Sequence, residues 1–368
     1  MQTGWNHISL GDACDIINGR NQKAVENAKG KYPIYGSGGI MGYASAYLCK
    51  AGSTIIGRKG TINKPIFVNT NFWNVDTAFG LSPKDGINPR FFFYLCKSID
   101  WLRYDKGTTL PSLVKSDLLK IKVRIPETEI QNRIASELDL LSEIIDIKNT
   151  QLRDLDDLAQ SIFYEMFGDP VANEKGWQLK AIKDSVEEMF LGPFGSSLKT
   201  DCYVPKEQSY CMVYEQKHAI KKTLKQDNHF INKDKYNSLK RFSVGPGDFI
   251  MSCRGTIGEI YELPNDAPKG IIHPSLMKIR LREGVYSHEF FKVLLGKVVT
   301  QQEMNGGVVK MAITAKKLGQ IKIVAPPMEK QIEFNEQIER IKEQKKQIEQ
   351  SLSHIQTLLD KRMFDFFS

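Results

Sequence analysis

The chain has 368 residues, 41% of them hydrophobic, and this length and hydrophobic content predict two or three folded domains. Its formal net charge is +8. It contains no run of eighteen apolar residues and no basic region followed by an apolar core near its start, so neither a membrane span nor a secretory signal is expected. The cysteines form no CxxC pair and the histidines no HExxH, so the sequence predicts reduced thiols in the cytoplasm and no metal site.

The charge is distributed unevenly along the chain. Residues 127–169 carry eleven acidic and three basic side chains, a net charge of −8, so the remaining residues carry +16. A basic body of this size is typical of a protein that binds phosphate backbones. An acidic segment is poorly suited to contact DNA, so we expect its outward face to bind protein partners.

Residues 1–126 alternate short β-rich runs with glycine-rich turns, which is typical of a mixed α/β domain. The loop at 35–42 lacks the third glycine of a dinucleotide fingerprint, because Met41 stands there. The loop at 51–62 resembles a phosphate-binding P-loop, but Arg58 takes the place of the required lysine. A basic turn can still hold phosphate through its side chains and backbone amides.

Residues 127–169 show apolar positions at alternating spacings of three and four, which predicts a helix with one face against a partner helix. At about 1.5 Å per residue such a helix is roughly 60 Å long. Lys148 interrupts the apolar seam. The predicted seam residues are Leu138, Leu141, Ile145, Leu152 and Leu155.

Residues 170–327 repeat several features of the first domain in the same order. Trp177 takes the place of Trp5, residues 252–258 that of residues 56–62, and residues 305–310 that of the loop at 106–112. The loop at 191–199, with two serines and a lysine, has no counterpart. The repeated frame with different contents indicates one scaffold that presents two different binding surfaces.

Residues 328–368 repeat the long helical pattern at a constant offset of 200, and the ungapped alignment begins before the helices, at Leu118 and Leu318. Two matching seams indicate that the helices pack on each other within one molecule. An ordinary long core helix and a homo-oligomeric coiled coil are the alternatives. Lys345 interrupts this seam, whose predicted residues are Ile338, Ile341, Ile348, Leu352 and Ile355.

These patterns together predict an α+β fold with an internal pseudo-twofold repeat. Two mixed α/β domains, at 1–126 and 170–327, are separated by two long antiparallel α-helices, at 127–169 and 328–368. The helices form a spacer that resembles a coiled coil.

This arrangement resembles the specificity subunit of type I DNA restriction-modification systems over essentially the whole chain. The resemblance rests on the tryptophans that open each domain, the glycine-containing loops at 35–42, 57–60 and 192–196, and the prolines that precede Gln131 and Gln331. It implies that each α/β domain is a target recognition domain that binds one half of a bipartite site in double-stranded DNA. It also implies that the helices hold these domains apart and dock two methyltransferase subunits.

The resemblance further implies a chain without an active site or a cofactor of its own. S-adenosylmethionine is expected on the partner methyltransferase, and motor-nuclease restriction subunits join where cleavage occurs. Loop side chains are expected to contact base edges, and basic turns to contact phosphates. The predicted DNA-binding residues are Ser37, Gly38, Arg58, Lys59, Thr61, Lys106, Thr108, Ser196, Ser197, Lys199, Arg254, Thr256 and Lys310.

Three other functions are alternatives to DNA recognition. A helical scaffold or adaptor protein that binds no DNA is the main alternative. A metal-dependent nuclease would need an acidic residue followed by an ExK element, and Asp201 with residues 215–217 matches that loose pattern. Adenine methyltransferase motifs fit poorly, since residues 169–172 and 88–91 are only the nearest approaches to the tetrapeptide that holds the flipped base.

Overall fold

The computed structural model describes residues 5–304 and 313–368, with the backbone alone at 301–304. The chain forms two compact units. The first comprises Met1–Leu152 and Lys346–Ser368, and the second comprises Arg153–Lys345. Each of the two long helices therefore contributes residues to both units. The domain boundaries expected at 126, 169 and 327 stay a prediction.

The first unit combines short strands with short helices, and the first half of the chain ends in a long helix. Its second helix begins with Pro89 at the first helical position, and the Asn88 side chain accepts hydrogen bonds from the Arg90 and Phe91 amides. The elements in chain order are β1 (Asn6–Ser9), α1 (Leu10–Ala13), β2 (Cys14–Asn18), β3 (Tyr32–Gly36), β4 (Gly39–Ala44), β5 (Ser53–Gly57), β6 (Ile66–Val68), β7 (Trp73–Asn74), β8 (Ala78–Pro83), α2 (Pro89–Ser98), α3 (Lys115–Leu118), β9 (Lys122–Ile125) and α4 (Thr128–Phe167).

Three small sheets organise these strands. An antiparallel sheet has the order β2-β8-β5-β6, and β5 is buried along its whole length. A second sheet has the order β4-β3-β7, in which β3 and β7 run parallel. The third joins β1 to β9, so the first strand of the unit pairs with the strand that leads into α4. The core lies between the first sheet, α2 and the long helices.

The second unit has a comparable set of elements and is also a mixture of helices and strands, so the chain has the predicted α+β class. The elements are β10 (Leu179–Ala181), β11 (Val186–Leu191), β12 (Cys211–Tyr214), α5 (Gln216–Lys221), β13 (His229–Ile231), α6 (Lys233–Leu239), β14 (Ser243–Val244), β15 (Phe249–Ser252), β16 (Ile260–Glu262), β17 (Gly270–Ile272), β18 (Leu276–Leu281), α7 (His288–Met304), α8 (Ala315–Gln320), β19 (Lys322–Val324) and α9 (Met328–Phe367).

The described strands of the second unit also form three sheets. One antiparallel sheet has the order β11-β18-β15-β16, and a mixed sheet has the order β13-β12-β17-β14 with β12 and β17 parallel. The third joins β10 to β19, again pairing an early strand with the strand that leads into a long helix. The largest core of this unit includes Phe163 and Phe167 of α4 together with Phe290 and Phe334.

The two long helices contact each other within each unit. In the first unit, Leu138, Leu141 and Ile145 share a core with Ile355, and the Arg362 guanidinium donates to the Glu137 carboxylate. Leu138 and Leu141 are buried there, whereas Ile145, Leu152, Ile348, Leu352 and Ile355 are half-buried.

In the second unit the half-buried Leu155 packs in the same core as the buried Ile338 and Ile341. Lys345, the lysine that interrupts the predicted seam, lies 2.6 Å from Asp156, and Gln337 lies 3.6 Å from Met166. The residue numbers rise on α4 as they fall on α9, so the helices run antiparallel here.

Gln131 fixes the start of α4 in the first unit. Its side chain is only 2% exposed. Its amide oxygen accepts from the Asn88 backbone at 2.8 Å, and its amide nitrogen donates to the carbonyls of Pro126 at 2.8 Å and Gly86 at 3.2 Å. One buried glutamine therefore ties α4 to the N-terminus of α2.

Gln331 does the same at the start of α9 in the second unit. It is 1% exposed, accepts from the Ser287 backbone at 2.9 Å, and donates to the carbonyls of Pro326 at 2.9 Å and Val285 at 3.4 Å. Because burial makes an unpaired amide costly, these bonds explain why glutamine stands at this position.

A buried ion network lies in the second unit. Asp248 is 0% exposed and accepts two hydrogen bonds from Arg280, at 2.7 and 2.9 Å. The ammonium of Lys278, which is 3% exposed, lies 3.4 Å from Asp248 and also donates to Glu188. The hydrogen bond that Arg280 donates to Asp248 raises the pKa of Arg280. These charges are compensated by one another, as buried charges must be.

No helix in the described part of the chain combines the length and apolarity needed to cross a bilayer. All six cysteines are described, and all are free.

Candidate nucleic-acid interface

The first predicted basic turn follows β5 directly. The Arg58 amide donates to the Thr77 carbonyl at 2.8 Å, and its guanidinium donates to the Asp76 carbonyl at 3.3 Å. Gly60 has a φ of +81° with open space around it, a conformation that favours glycine. Lys59 and Thr61 are exposed, and Arg58 is half-buried. The backbone is thus anchored while two of the side chains face solvent.

The polar loop at 106–112 lies against this turn. Gly60 donates to the Pro111 carbonyl at 2.9 Å, and Lys59 forms a β-bridge with Ser112. Asp105 closes the loop by accepting from the Gly107 and Ser112 amides, each at 2.7 Å, which lowers the pKa of its carboxyl group. Lys106 and Thr108 are both exposed. The structure therefore brings Arg58, Lys59, Thr61, Lys106 and Thr108 together.

Ser37 and Gly38 form the tip between β3 and β4. Next to the tip, the Tyr35 carbonyl accepts from the Val75 amide at 2.9 Å. The segment at 74–77 therefore contacts both this hairpin and the Arg58 turn. Gly38 is exposed and Ser37 is half-buried.

The basic turn of the second unit follows β15. The Cys253 amide donates to the Ser275 carbonyl at 2.9 Å, and Gln216 of α5 donates to the Arg254 carbonyl at 2.7 Å. Gly255 has a φ of +67°. Arg254 and Thr256 are exposed. Here too a glycine with positive φ supports an exposed basic side chain on an anchored turn.

The loop at 192–199 lies beside residues 273–276, the segment that also accepts the hydrogen bond from Cys253. The Gly192 amide donates to the Leu276 carbonyl at 2.9 Å, and a Cβ at Gly192 would lie 2.3 Å from the His273 carbonyl oxygen. Only glycine fits this close approach. Ser196 and Lys199 are exposed and Ser197 is half-buried. Lys310, the last predicted DNA-binding residue, lies outside the described residues.

Lys59, Lys106, Lys199 and Arg254 share an electrostatic property. None of these four cations makes a salt bridge with any residue that the structure describes. Exposed cations without carboxylate partners are available to phosphate groups.

A cluster around Glu215 was not predicted as a unit. Both carboxylate oxygens lie 3.0 Å from His229 Nδ1, one lies 2.8 Å from Lys217 Nζ, and the Tyr203 ring stacks on His229 at 4.4 Å. Burial acts to raise the pKa of Glu215, but the hydrogen bonds from Lys217 and His229 outweigh it and lower the pKa. The sequence offered only the ExK pattern at 215–217, which does not point to His229.

The nuclease pattern gains no metal site from this geometry. Within the described residues, no group of three or more His, Cys, Asp or Glu side chains could hold a metal ion. Glu215 instead neutralises neighbouring basic side chains.

His218 of α5 lies next to this cluster and is fully buried. Its Nδ1 accepts from the Glu215 amide at 2.8 Å, so Nε2 carries the proton and donates to Asn228 Oδ1 at 2.8 Å. Burial lowers the pKa of His218. Protonation would break the bond to the Glu215 amide.

The stability of the second unit is therefore expected to depend on His218 below about pH 6.5, the ordinary pKa of histidine. In that range the unfolded chain binds a proton that folded His218 does not, so the free energy of unfolding falls as the pH falls. His218→Gln should flatten this dependence. Urea unfolding, followed by hydrogen exchange of β12 and β18 peptides at several pH values, measures it.

His288 provides a control of opposite sign. The hydrogen bond to Glu262 raises the pKa of His288, so its contribution is present at low pH and is lost as the pH rises through the folded pKa. His288→Gln should remove stability at low pH. Equal pH profiles for the wild type and His218→Gln would contradict the role assigned to His218.

Comparison with known proteins shows what this chain is similar to. Residues 2–156 match the family model described as "Type I restriction modification DNA specificity domain". The type I restriction enzyme MjaIX specificity subunit of Methanocaldococcus jannaschii is 29% identical over 35% of this chain, a stretch that spans 33% of that relative. The putative type I restriction enzyme MjaX specificity subunit of the same organism is 24% identical over 75% of this chain and 68% of its own length.

A solved structure supports the same relationship at the level of the fold. The crystal structure of the type I restriction-modification system S subunit from M. genitalium superimposes with a TM-score of 0.61 at 14% identity, over 100% of this chain and 97% of that one. The matched domain, the relatives and the shared fold agree with one another. In the domain at 2–156, in much of its sequence and in its fold, the chain is similar to type I restriction-modification specificity subunits.

Proposed function

We propose that this chain is the non-catalytic DNA-recognition subunit of a type I restriction-modification complex in the cytoplasm. The domains at 1–126 and 170–327 each bind one half of a bipartite site in double-stranded DNA. The helices α4 and α9 separate the two domains and dock two methyltransferase subunits, which bring S-adenosylmethionine. Motor-nuclease subunits join where the complex also cleaves DNA.

The observation that carries this proposal is an equivalent basic turn in each unit. Leu113 donates to the Arg58 carbonyl at 2.8 Å, and Ile313 donates to the Cys253 carbonyl at 3.3 Å. By these bonds the residues 59–61 correspond to the residues 254–256. A lysine or arginine, a glycine with positive φ and a threonine therefore occur in the same order on the same kind of turn.

The surroundings of the long helices support an internal pseudo-twofold repeat. Gln131 and Gln331 accept from the residue that precedes α2 or α7 and donate to the proline carbonyl five residues before them. In each unit an antiparallel strand pair, β1-β9 or β10-β19, also precedes the long helix. Two recognition domains that share a scaffold but differ in their loops suit a DNA site whose halves differ in sequence.

The charge of α4 supports its assignment to protein partners. Glu143 and Asp146 in the first unit, and Asp154 and Asp157 in the second, are exposed. Carboxylates repel the phosphate backbone, whereas a basic surface of a partner subunit would be attracted to them. Docking of the methyltransferase subunits along this face follows from the proposal.

Exchange of one recognition domain tests the proposed function. Residues 170–327 are replaced by the same segment of another specificity subunit, and the methylated sites of the host genome are sequenced. One half of the methylated sequence should change while the other half stays the same. A strain without the gene should lose the methylation pattern. Changes in both halves, or a pattern that survives loss of the chain, would contradict the proposal and favour the adaptor alternative.

A further inference from the structure

Phe194 is the most exposed large hydrophobic side chain among the described residues. It is 85% exposed, compared with 69% for Phe364, the next in order. Single exposed apolar residues are common on protein surfaces, so exposure alone assigns no role. The rigid loop that carries Phe194 and the basic side chains beside it indicate a role for this exposed ring.

The backbone on both sides of Phe194 is held firmly. Gly192 is pressed against the His273 carbonyl, and Pro193, with a fixed φ, is buried. On the other side, Leu198 is anchored in a core, and the Ser197 amide closes the turn by donating to the Phe194 carbonyl at 2.8 Å. The loop is thus pre-organised, and ordering it on binding costs little entropy.

The side chain itself has no ring or cation partner in the part of the chain that the structure describes. No aromatic ring and no cation of the described residues contacts the Phe194 ring, and a Cβ built at Gly195 would meet no atom within 4 Å. A rigid turn therefore holds an uncovered ring in open space. Burial of this ring by a partner would be favourable by the hydrophobic effect.

Basic and hydroxyl side chains surround the base of the loop. Ser196 and Lys199 are exposed on the loop itself. Arg254 lies on the turn that shares the 273–276 segment with Gly192, because Cys253 donates to Ser275 and Gly192 donates to Leu276. The cations suit the phosphate groups on the outside of duplex DNA, and the apolar tip suits the stacked bases on its inside. Duplex DNA therefore fits this surface.

Resting on the proposed function, we propose that Phe194 is a wedge that enters a base-pair step of the half-site bound by the second unit. The ring partly unstacks this step and bends the duplex, while Lys199 and Arg254 hold the neighbouring phosphates. Pyrimidine–purine steps unstack at the lowest cost, so Phe194 selects a flexible step through its deformability. Phe194 is then a specificity-determining residue that makes no hydrogen bond to a base.

The complex of this chain with its methyltransferase subunits is tested on duplexes that carry 2-aminopurine at successive positions of that half-site. For the wild type, the fluorescence should rise at one step, because unstacking relieves quenching. Phe194→Ala should abolish this rise and weaken binding roughly fivefold to hundredfold, the range of losing one aromatic stacking contact. Phe194→Trp should retain the rise. Leu179→Ala, at an exposed apolar position of β10 in the same unit and outside the long helices, is the control and should leave both quantities unchanged.

Two further measurements separate this inference from its alternatives. Phe194→Ala should leave the slope of affinity against salt unchanged, because phenylalanine releases no counterions, and should leave the unfolding midpoint unchanged. A wild-type complex that binds specifically without any fluorescence rise, or Phe194→Ala with full affinity, would overturn the wedge and leave the proposed function intact. Loss of folding in Phe194→Ala would also overturn it. A wild-type complex without specific DNA binding would instead refute the proposed function.

Discussion

Replacing Asp248 by alanine is expected to lower the free energy of unfolding of the second unit by about 3–5 kcal/mol, as for a buried ion pair that loses one partner. Asp248 is completely buried and accepts two hydrogen bonds from Arg280. Its loss leaves the buried Lys278 with less compensation and the Gly245 amide, now 2.9 Å from Asp248, without its acceptor. Urea-dependent hydrogen exchange of β15 and β18 peptides measures the change.

A matched substitution controls for the loss of one negative charge. Asp266, on the surface of the same unit, should tolerate alanine within roughly 0.5 kcal/mol. The double variant Asp248→Leu with Lys278→Met removes both charges and should be less destabilised than Asp248→Ala alone, because no uncompensated buried charge remains. A loss of under about 1 kcal/mol for Asp248→Ala would show that the network is not a main determinant of stability.

Removing Lys59 and Lys106 together is expected to reduce the salt dependence of DNA binding by the complex. If each ammonium contacts one phosphate, the slope of log affinity against log salt should become shallower by roughly 2. Binding should weaken by a similar factor for specific and unrelated sequences, because phosphate contacts carry no sequence information. Titrations of Lys59→Ala with Lys106→Ala over a range of salt concentrations measure the slope.

The control removes two exposed lysines elsewhere in the same unit. Lys120 and Lys122 are exposed, just after α3 and on β9, and belong to neither of the loops at 58–61 and 106–112. The double variant Lys120→Ala with Lys122→Ala has the same net charge as Lys59→Ala with Lys106→Ala. Its slope of log affinity against log salt should match that of the wild type. If both double variants lower the slope equally, the effect reflects net charge, and the loops at 58–61 and 106–112 have no special role.

Much of the fold follows from local sequence patterns. The alternating spacing of apolar residues predicts the helices now observed at Thr128–Phe167 and Met328–Phe367, because helical periodicity is a property of neighbouring residues. The positive φ of Gly60 and Gly255 is also a local property, because glycine adopts this conformation without a steric penalty. The constant offset of 200 pairs Gln131 with Gln331, and each of them makes the same kind of contact in its unit.

Other features depend on residues that are distant in the sequence. The sequence comparison paired residues 56–62 with residues 252–258, whereas the backbone hydrogen bonds pair 59–61 with 254–256, one position away. Nothing local links Asp105 to the turn at Arg58, or Asp248 to Lys278. The Tyr203–His229–Glu215 cluster likewise joins three separate segments.

The sequence by itself therefore determined the α+β class, the long helices, the basic glycine turns and the similarity to type I specificity subunits. These depend on periodicity, on turn chemistry and on motifs in a fixed order, all of which are written along the chain. The tertiary structure alone decided that the loop at 106–112 meets the basic turn at 58–61, that a buried carboxylate neutralises Lys278 and Arg280, and that Phe194 is left uncovered. Such contacts and exposures arise when distant segments pack, and no local pattern records them.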